Sequence, residues 1–128
     1  MSDYTYPDVE DVVLALLAVA NLAEHRGREL PSNLRYRMPY VLVERRGGPD
    51  NGWTDSPVVN VGVLSSQAGV AKARTEAIRE FLTGDPLALW PIDRVQTVAG
   101  PQEIPHGDTA VRRWTCTYQI DCRRVAGS

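Results

Sequence analysis

Two histidines, two cysteines, two pairs of aspartates and a glycine-rich run carry whatever chemistry this 128-residue chain could perform. His25 and His106 would serve as metal ligands or proton carriers if partners stood at coordinating spacing. Neither shares one predicted helix face with an acidic, cysteine or histidine partner, so both read as ordinary histidines, one at a helix end and one in a loop. Cys116 and Cys122 would be nucleophiles only if exposed beside a base. They alternate with Trp114 and Ile120 on the apolar side of a predicted strand, which makes them packing residues. Six residues of extended chain hold their Cα atoms roughly 20 Å apart, beyond the ~7 Å that a disulfide bridges. They are expected to be free thiols in a reducing compartment.

Gly47-Gly48 and Gly52 suggest a phosphate loop until the residues that follow are read. A Walker loop needs a lysine and a hydroxyl residue directly after its last glycine, opening a helix. Here Trp53-Thr54-Asp55 leads into a strand, and the dinucleotide fingerprint fails as well. Asp8/Asp11 and Asp50/Asp55 are the remaining acid–base candidates. The first pair belongs to a helix start and the second to a glycine-rich loop, a poor support for catalytic positioning. No catalytic residue, cofactor or metal is expected, and the chain is not expected to be an enzyme.

What remains is suited to contact. Arg45-Arg46 stands at a strand end, and Arg112-Arg113 with Arg123-Arg124 bounds the last strand. These arginines either solvate and protect strand ends or pair with an acidic neighbour, since arginine is favoured at interfaces. Trp53, within a polar loop, either folds back or anchors a partner, and the partner is the favoured reading.

The composition agrees with a soluble chain. Apolar residues make up 43%, charged residues 23%, and the net charge of −2 gives no footprint for sequence-independent nucleic-acid binding. A single domain spanning residues 1–128 is expected. The apolar run from Val12 to Ala20 is too short to cross a bilayer and lacks the basic leader of a signal peptide. Export and membrane insertion are not expected.

Stepping along the chain, Asp8 caps a first helix, with Glu10 and Asp11 in its first turn. Val9, Val12, Val13, Leu16, Leu17 and Ala20 form its apolar stripe, widened by Val19 and Leu22, and His25-Arg26-Gly27 ends it. Residues 28–38 read as an irregular connection. Strands follow at Tyr40–Arg46 and Val58–Leu64, pairing as an antiparallel hairpin around a loop at 47–57. Ser65 or Ser66 caps a second helix running to Leu82, with Val70, Ala73, Ala77, Ile78 and Phe81 on its apolar face. Two more strands are expected, Ile92–Gly100 and Ala110–Arg124, joined by residues 101–109. In the last, Trp114, Cys116, Tyr118, Ile120 and Cys122 face the core, and Arg113, Thr115, Thr117, Gln119 and Asp121 face water or a partner. The expected fold is α+β, in the order α-β-β-α-β-β. Its sheet is four-stranded, antiparallel or mixed, with both helices on one face.

Tyr6-Pro7-Asp8-Val9-Glu10, Arg45-Arg46-Gly47-Gly48, an acidic loop with Asp50 and Asp55, a Val-rich strand and Val111-Arg112-Arg113-Trp114-Thr115-Cys116-Thr117-Tyr118 complete a pattern. Together they resemble the tail terminator proteins of long-tailed actinobacteriophages, mycobacteriophages among them, over nearly the whole chain. The resemblance implies a structural virion protein, assembled in the host cytoplasm and placed at the head-proximal end of the tail. Its partners would be itself in a homohexameric ring, the tail tube protein and a head–tail connector, with DNA passing through the lumen without specific binding. On that reading Arg45, Arg46, Trp53 and Asp55 make ring or tube contacts, and Thr115, Thr117, Gln119 and Asp121 face the lumen. The alternatives are another neck or connector protein, or a small ligand-binding α+β domain.

Overall fold

A computed structural model describes residues 4–5, 8–47, 56–108, 110–122 and 125–126 of the chain. The first strand, β1 (Tyr4–Thr5), pairs antiparallel with the last, β7 (Val125–Ala126), as a separate two-stranded sheet.

Helix α1 (Val9–Val19) starts as its sequence requires. The Asp8 carboxylate accepts from the backbone N–H groups of Glu10 (3.0 Å) and Asp11 (3.4 Å). It thereby satisfies donors that have no partner within the helix. The helix ends earlier than the apolar spacing suggests. Asn21 adopts φ +59°, its N–H donates to Ala18 O (3.1 Å), and Leu22 N–H donates to Leu17 O (2.9 Å). This is a Schellman closure, with asparagine in the left-handed position that usually falls to glycine. The helix is also less enveloped than expected: Val9, Val13 and Leu17 are buried, while Val19 is 87% exposed.

The residues expected to finish that helix, His25–Gly27, form strand β2 instead, parallel to β3 (Tyr40–Gly47) in the register His25↔Tyr40 and Gly27↔Leu42. Gly27 is required there, because a Cβ would collide with the Tyr40 hydroxyl, which donates to Glu29 O at 2.7 Å. Strand β4 (Val58–Ser65) pairs antiparallel with β3, as the hairpin reading expects.

Helix α2 (Ala68–Leu82) begins after Ser65 and Ser66 rather than on them. Ser65 closes β4, and its hydroxyl accepts from Gln67 N–H (3.2 Å) to steer the chain into the helix. The buried stripe is Ala71, Thr75, Ile78 and Leu82. That is rotated from the expected face: Val70 and Ala73 are exposed, and of the five expected residues Ile78 alone is buried. Small Ala71 and Thr75 set the helix close to the sheet, and Thr75 Oγ1 is satisfied by Ala71 O at 2.8 Å.

After a 3-10 turn at Pro86–Leu89, strand β5 (Ile92–Ile104) runs four residues past its expected end and pairs antiparallel with β6 (Arg112–Cys122). Gly100-Pro101 is not a loop but part of a bulge: Gly100 has φ +92°, and a Cβ on it would stand 2.6 Å from Thr115 O. Register shifts also fall between Ile92 and Arg94 and between Thr97 and Ala99. Three irregularities along an edge strand discourage pairing with another strand.

The main sheet is thus mixed and five-stranded, in the order β2-β3-β4-β6-β5. The chain is α+β, with a fifth, parallel strand where four were expected. One face packs on both helices: Val41, Val43, Val59, Val61, Val63, Cys116, Tyr118, Ile120 and Cys122 join Val13, Leu17, Ile78 and Leu82 in one core. Each such aliphatic side chain contributes about 1.5–3 kcal/mol on full burial. At one end of the opposite face, residues 34–38 cover Tyr40, Leu42 and Leu64 as a smaller cluster. That cover explains why Leu64 is buried although it points away from the helix-covered core.

Candidate functional site

The uncovered part of the opposite face is polar, and its residues are built by register. Glu44, Asn60 and Thr117 stand in one row across β3, β4 and β6, and Gly62 stands beside Thr115 in the next. The Thr117 hydroxyl donates to Asn60 Oδ1 at 2.6 Å. Arg113 Nη2 donates to Glu44 Oε1 at 3.3 Å, crossing β4 over Gly62. Gln96 and Arg94 of β5 continue the face beside Gln119 and Asp121. Acidic and basic groups are interspersed on its described part: Glu44 stands beside Arg113 and Arg46, and Asp121 pairs in register with Arg94.

The described residues that flank segment 48–55 lie on this face. On one side Arg46 Nη2 meets Glu44 Oε1 at 3.4 Å. On the other the Ser56 hydroxyl donates to Asp121 Oδ1 at 2.8 Å. Of the expected contact residues, Arg45 and Arg46 are therefore at the base of the segment, exposed, with Arg45 N–H donating to Glu10 Oε2 at 3.2 Å. Trp53 and Asp55 lie outside the described residues, as do Arg123 and Arg124.

The expected lumen residues divide. Thr117, Gln119 and Asp121 are half-buried on the polar face, but Thr115 is 5% exposed and its hydroxyl has no hydrogen-bond partner. Thr115 thus corrects the alternation: β6 faces outward there, yet Arg113 and the bulge of β5 close over it. Arg113 is also drawn inward, while Arg112 stays exposed but is paired. Arg112 Nε donates to Glu103 Oε1 at 2.7 Å, so this pair joins strands within the chain instead of waiting for an acidic neighbour. Sequence reasoning overlooked Glu44 and Gly62. A glycine inside a valine-rich strand was the available signal, because it marks close approach by another group.

The remaining chemical candidates are dispersed. His25 Nε2 is 4.0 Å from Glu24, and His106 lies in the β5–β6 turn. Cys116 and Cys122 are buried free thiols. Among the described residues, no three His, Cys, Asp or Glu side chains gather as a metal site, and no helix is long and apolar enough to cross a membrane. The Tyr118 phenol is buried without a hydrogen-bond partner of good geometry. Burial, then the adjacent Cys116 thiol, pushes its pKa far above the ordinary value. It is a fully buried core group. No protein-family model matches the chain, and no curated protein matches it.

Proposed function

We propose that this chain is a phage tail terminator, forming a homohexameric ring on the head-proximal end of the tail tube. There it stops tube polymerisation and offers the surface to which the head joins. The observation that carries the reading is that the residues flanking segment 48–55 lie on the polar sheet face, Arg46 beside Glu44 and Ser56 bonded to Asp121. A ring subunit needs one surface for its neighbour and another for the lumen. Here a segment that carries Asp50, Trp53 and Asp55 follows in sequence from a polar strip whose acidic and basic groups are interspersed. Thr117, Gln119 and Asp121, with Asn60, line the lumen, and DNA slides past them because the arginines described on this face stand beside carboxylates that weaken their hold on phosphate. Arg45, Arg46, Trp53 and Asp55 meet the next subunit or the tube. A ring of this kind uses two unlike surfaces per subunit, a heterologous contact that closes by rotation.

The direct genetic test is removal of the chain from its phage. Tubes should then grow to overlong and variable lengths, without joined heads, and supply of the chain should restore uniform tails. Tails of normal length that fail to join heads would favour a neck connector instead. Normal joined tails would end both readings.

A further inference from the structure

At the C-terminal end of α1 a cavity of about 480 Å³ is lined by Ala18, Asn21, Ala23, Glu24, Arg26 and Arg74. Two guanidinium groups are held in place at its wall. Arg74 Nη1 donates to Leu22 O at 2.8 Å, and Arg26 Nη1 donates to Ala23 O at 3.2 Å. Both carbonyls lie just beyond the Schellman closure, so the helix end itself positions the arginines. Each guanidinium has five N–H donors, and these bonds engage one apiece. Two exposed apolar residues neighbour the lining residues along their helices: Val19, next to Ala18, is 87% exposed, and Val70, one turn before Arg74, is 38% exposed. Glu24 adds one acceptor.

We infer that this cavity receives the Asp50–Asp55 segment of a second copy of the chain. The inference rests on the ring reading and names its subunit contact. The segment Asp50-Asn51-Gly52-Trp53-Thr54-Asp55 carries the complementary groups. Two carboxylates match two guanidiniums, an indole ring matches Val19 and Val70, and an indole N–H matches Glu24. Arginine–carboxylate pairs with an aromatic anchor are the usual energetic centre of a protein interface.

Topology places the base of this segment and the cavity at opposite ends of one subunit. Arg45 N–H bonds Glu10 in the first turn of α1, which puts the base of the segment at that helix's N-terminal end. The cavity is at the C-terminal end, where β2 begins beside Tyr40. The 11 residues of α1 span about 16 Å. Strand β3 runs from Tyr40, beside β2 at the cavity end, to Gly47 at the other end, where the segment begins. The inferred contact is therefore one between two subunits, running head to tail.

The test titrates the full chain, labelled with 15N, with a synthetic peptide of residues 47–57, following backbone amide shifts. The contact predicts saturable shifts centred on Ala18, Asn21, Ala23 and Arg26. It also predicts affinity at least tenfold weaker for Arg26→Glu, and recovery when a peptide with both aspartates changed to lysine meets Arg26→Glu/Arg74→Glu. Arg26 is exposed, so Arg26→Glu alone carries the test if the double variant fails to fold. Absence of shifts at millimolar peptide, shifts centred elsewhere, or equal binding of a scrambled peptide would overturn the inference. Binding at the cavity by a chain that forms no ring on tail tubes would overturn the terminator reading and leave the contact standing. Rings on tubes without peptide binding would do the reverse.

Discussion

Arg113 reaches Glu44 two strands away, Nη2 to Oε1 at 3.3 Å, because Gly62 on the strand between them has no side chain. A Cβ at Gly62 would stand 3.3 Å from Arg113 Nε and 3.1 Å from Thr115 Oγ1. The pair is largely shielded, with side chains 15% and 28% exposed, so its geometry matters more than that of an open surface pair.

Gly62→Val is accordingly expected to destabilise the fold by about 1–3 kcal/mol through crowding and loss of the Arg113–Glu44 bond. Urea unfolding would measure it. In a double-mutant cycle with Glu44→Gln the two losses should fail to add by more than about 0.5 kcal/mol. Additive losses would show that Gly62 does not govern the pair.

The rotated face of α2 separates two substitutions that composition treats alike. Ala71 is fully buried against the sheet and Ala73 is exposed. Ala71→Leu should cost about 1–3 kcal/mol by overpacking, while Ala73→Leu should stay within about 0.5 kcal/mol of the parent. Thermal unfolding of the two variants under one buffer decides it.

The reason this face escaped the sequence is visible in its residues. Val70, Ala73, Ala77, Ile78 and Phe81 make a plausible stripe, but the sheet selects the small residues Ala71 and Thr75, which allow close approach. The alternation of β6 from Trp114 to Cys122 was legible because one face of it packs on both helices, and a period of two follows from that directly. Strand β2 was not legible. Three residues, His25–Gly27, carry no period, and their partner strand is chosen by the turn at Asn21. Among the site residues, Arg46 and Asp121 could be placed from strand ends and alternation. Arg113 could not, since its direction depends on an absence at Gly62 far along the chain.

Tyr118 gives the fold a definite response to alkali. Its folded pKa is raised above the unfolded value of 10.0, chiefly by burial, so its contribution to stability is fully present below pH 10. That contribution is lost as pH rises above 10 towards the folded value. Unfolding in alkali should therefore release a phenolate absorbance step that Tyr118→Phe removes. Because the hydroxyl lacks a good partner, the same variant should be neutral or up to about 1 kcal/mol more stable near neutral pH.

The buried thiols should follow the core. Cys116 and Cys122 are both shielded, so an aromatic disulfide reagent should modify them only at the rate of unfolding. Rapid modification of native protein would contradict the packing of β6 against the helices.

Charge reversal at exposed Arg46 should leave the isolated fold within about 0.5 kcal/mol of the parent, and together with Trp53→Ala it should impair ring formation and head joining. Tail length in complemented phage is the readout, and unchanged tails would remove these residues from the contact surface.

The most direct measurement is electron microscopy of the purified chain mixed with tail tubes of a long-tailed actinobacteriophage. The account predicts a six-fold ring at one end of each tube, with its polar sheet face lining the lumen and no further tube growth from that end. Tubes that keep elongating with bare ends, or protein scattered along their walls, would contradict it.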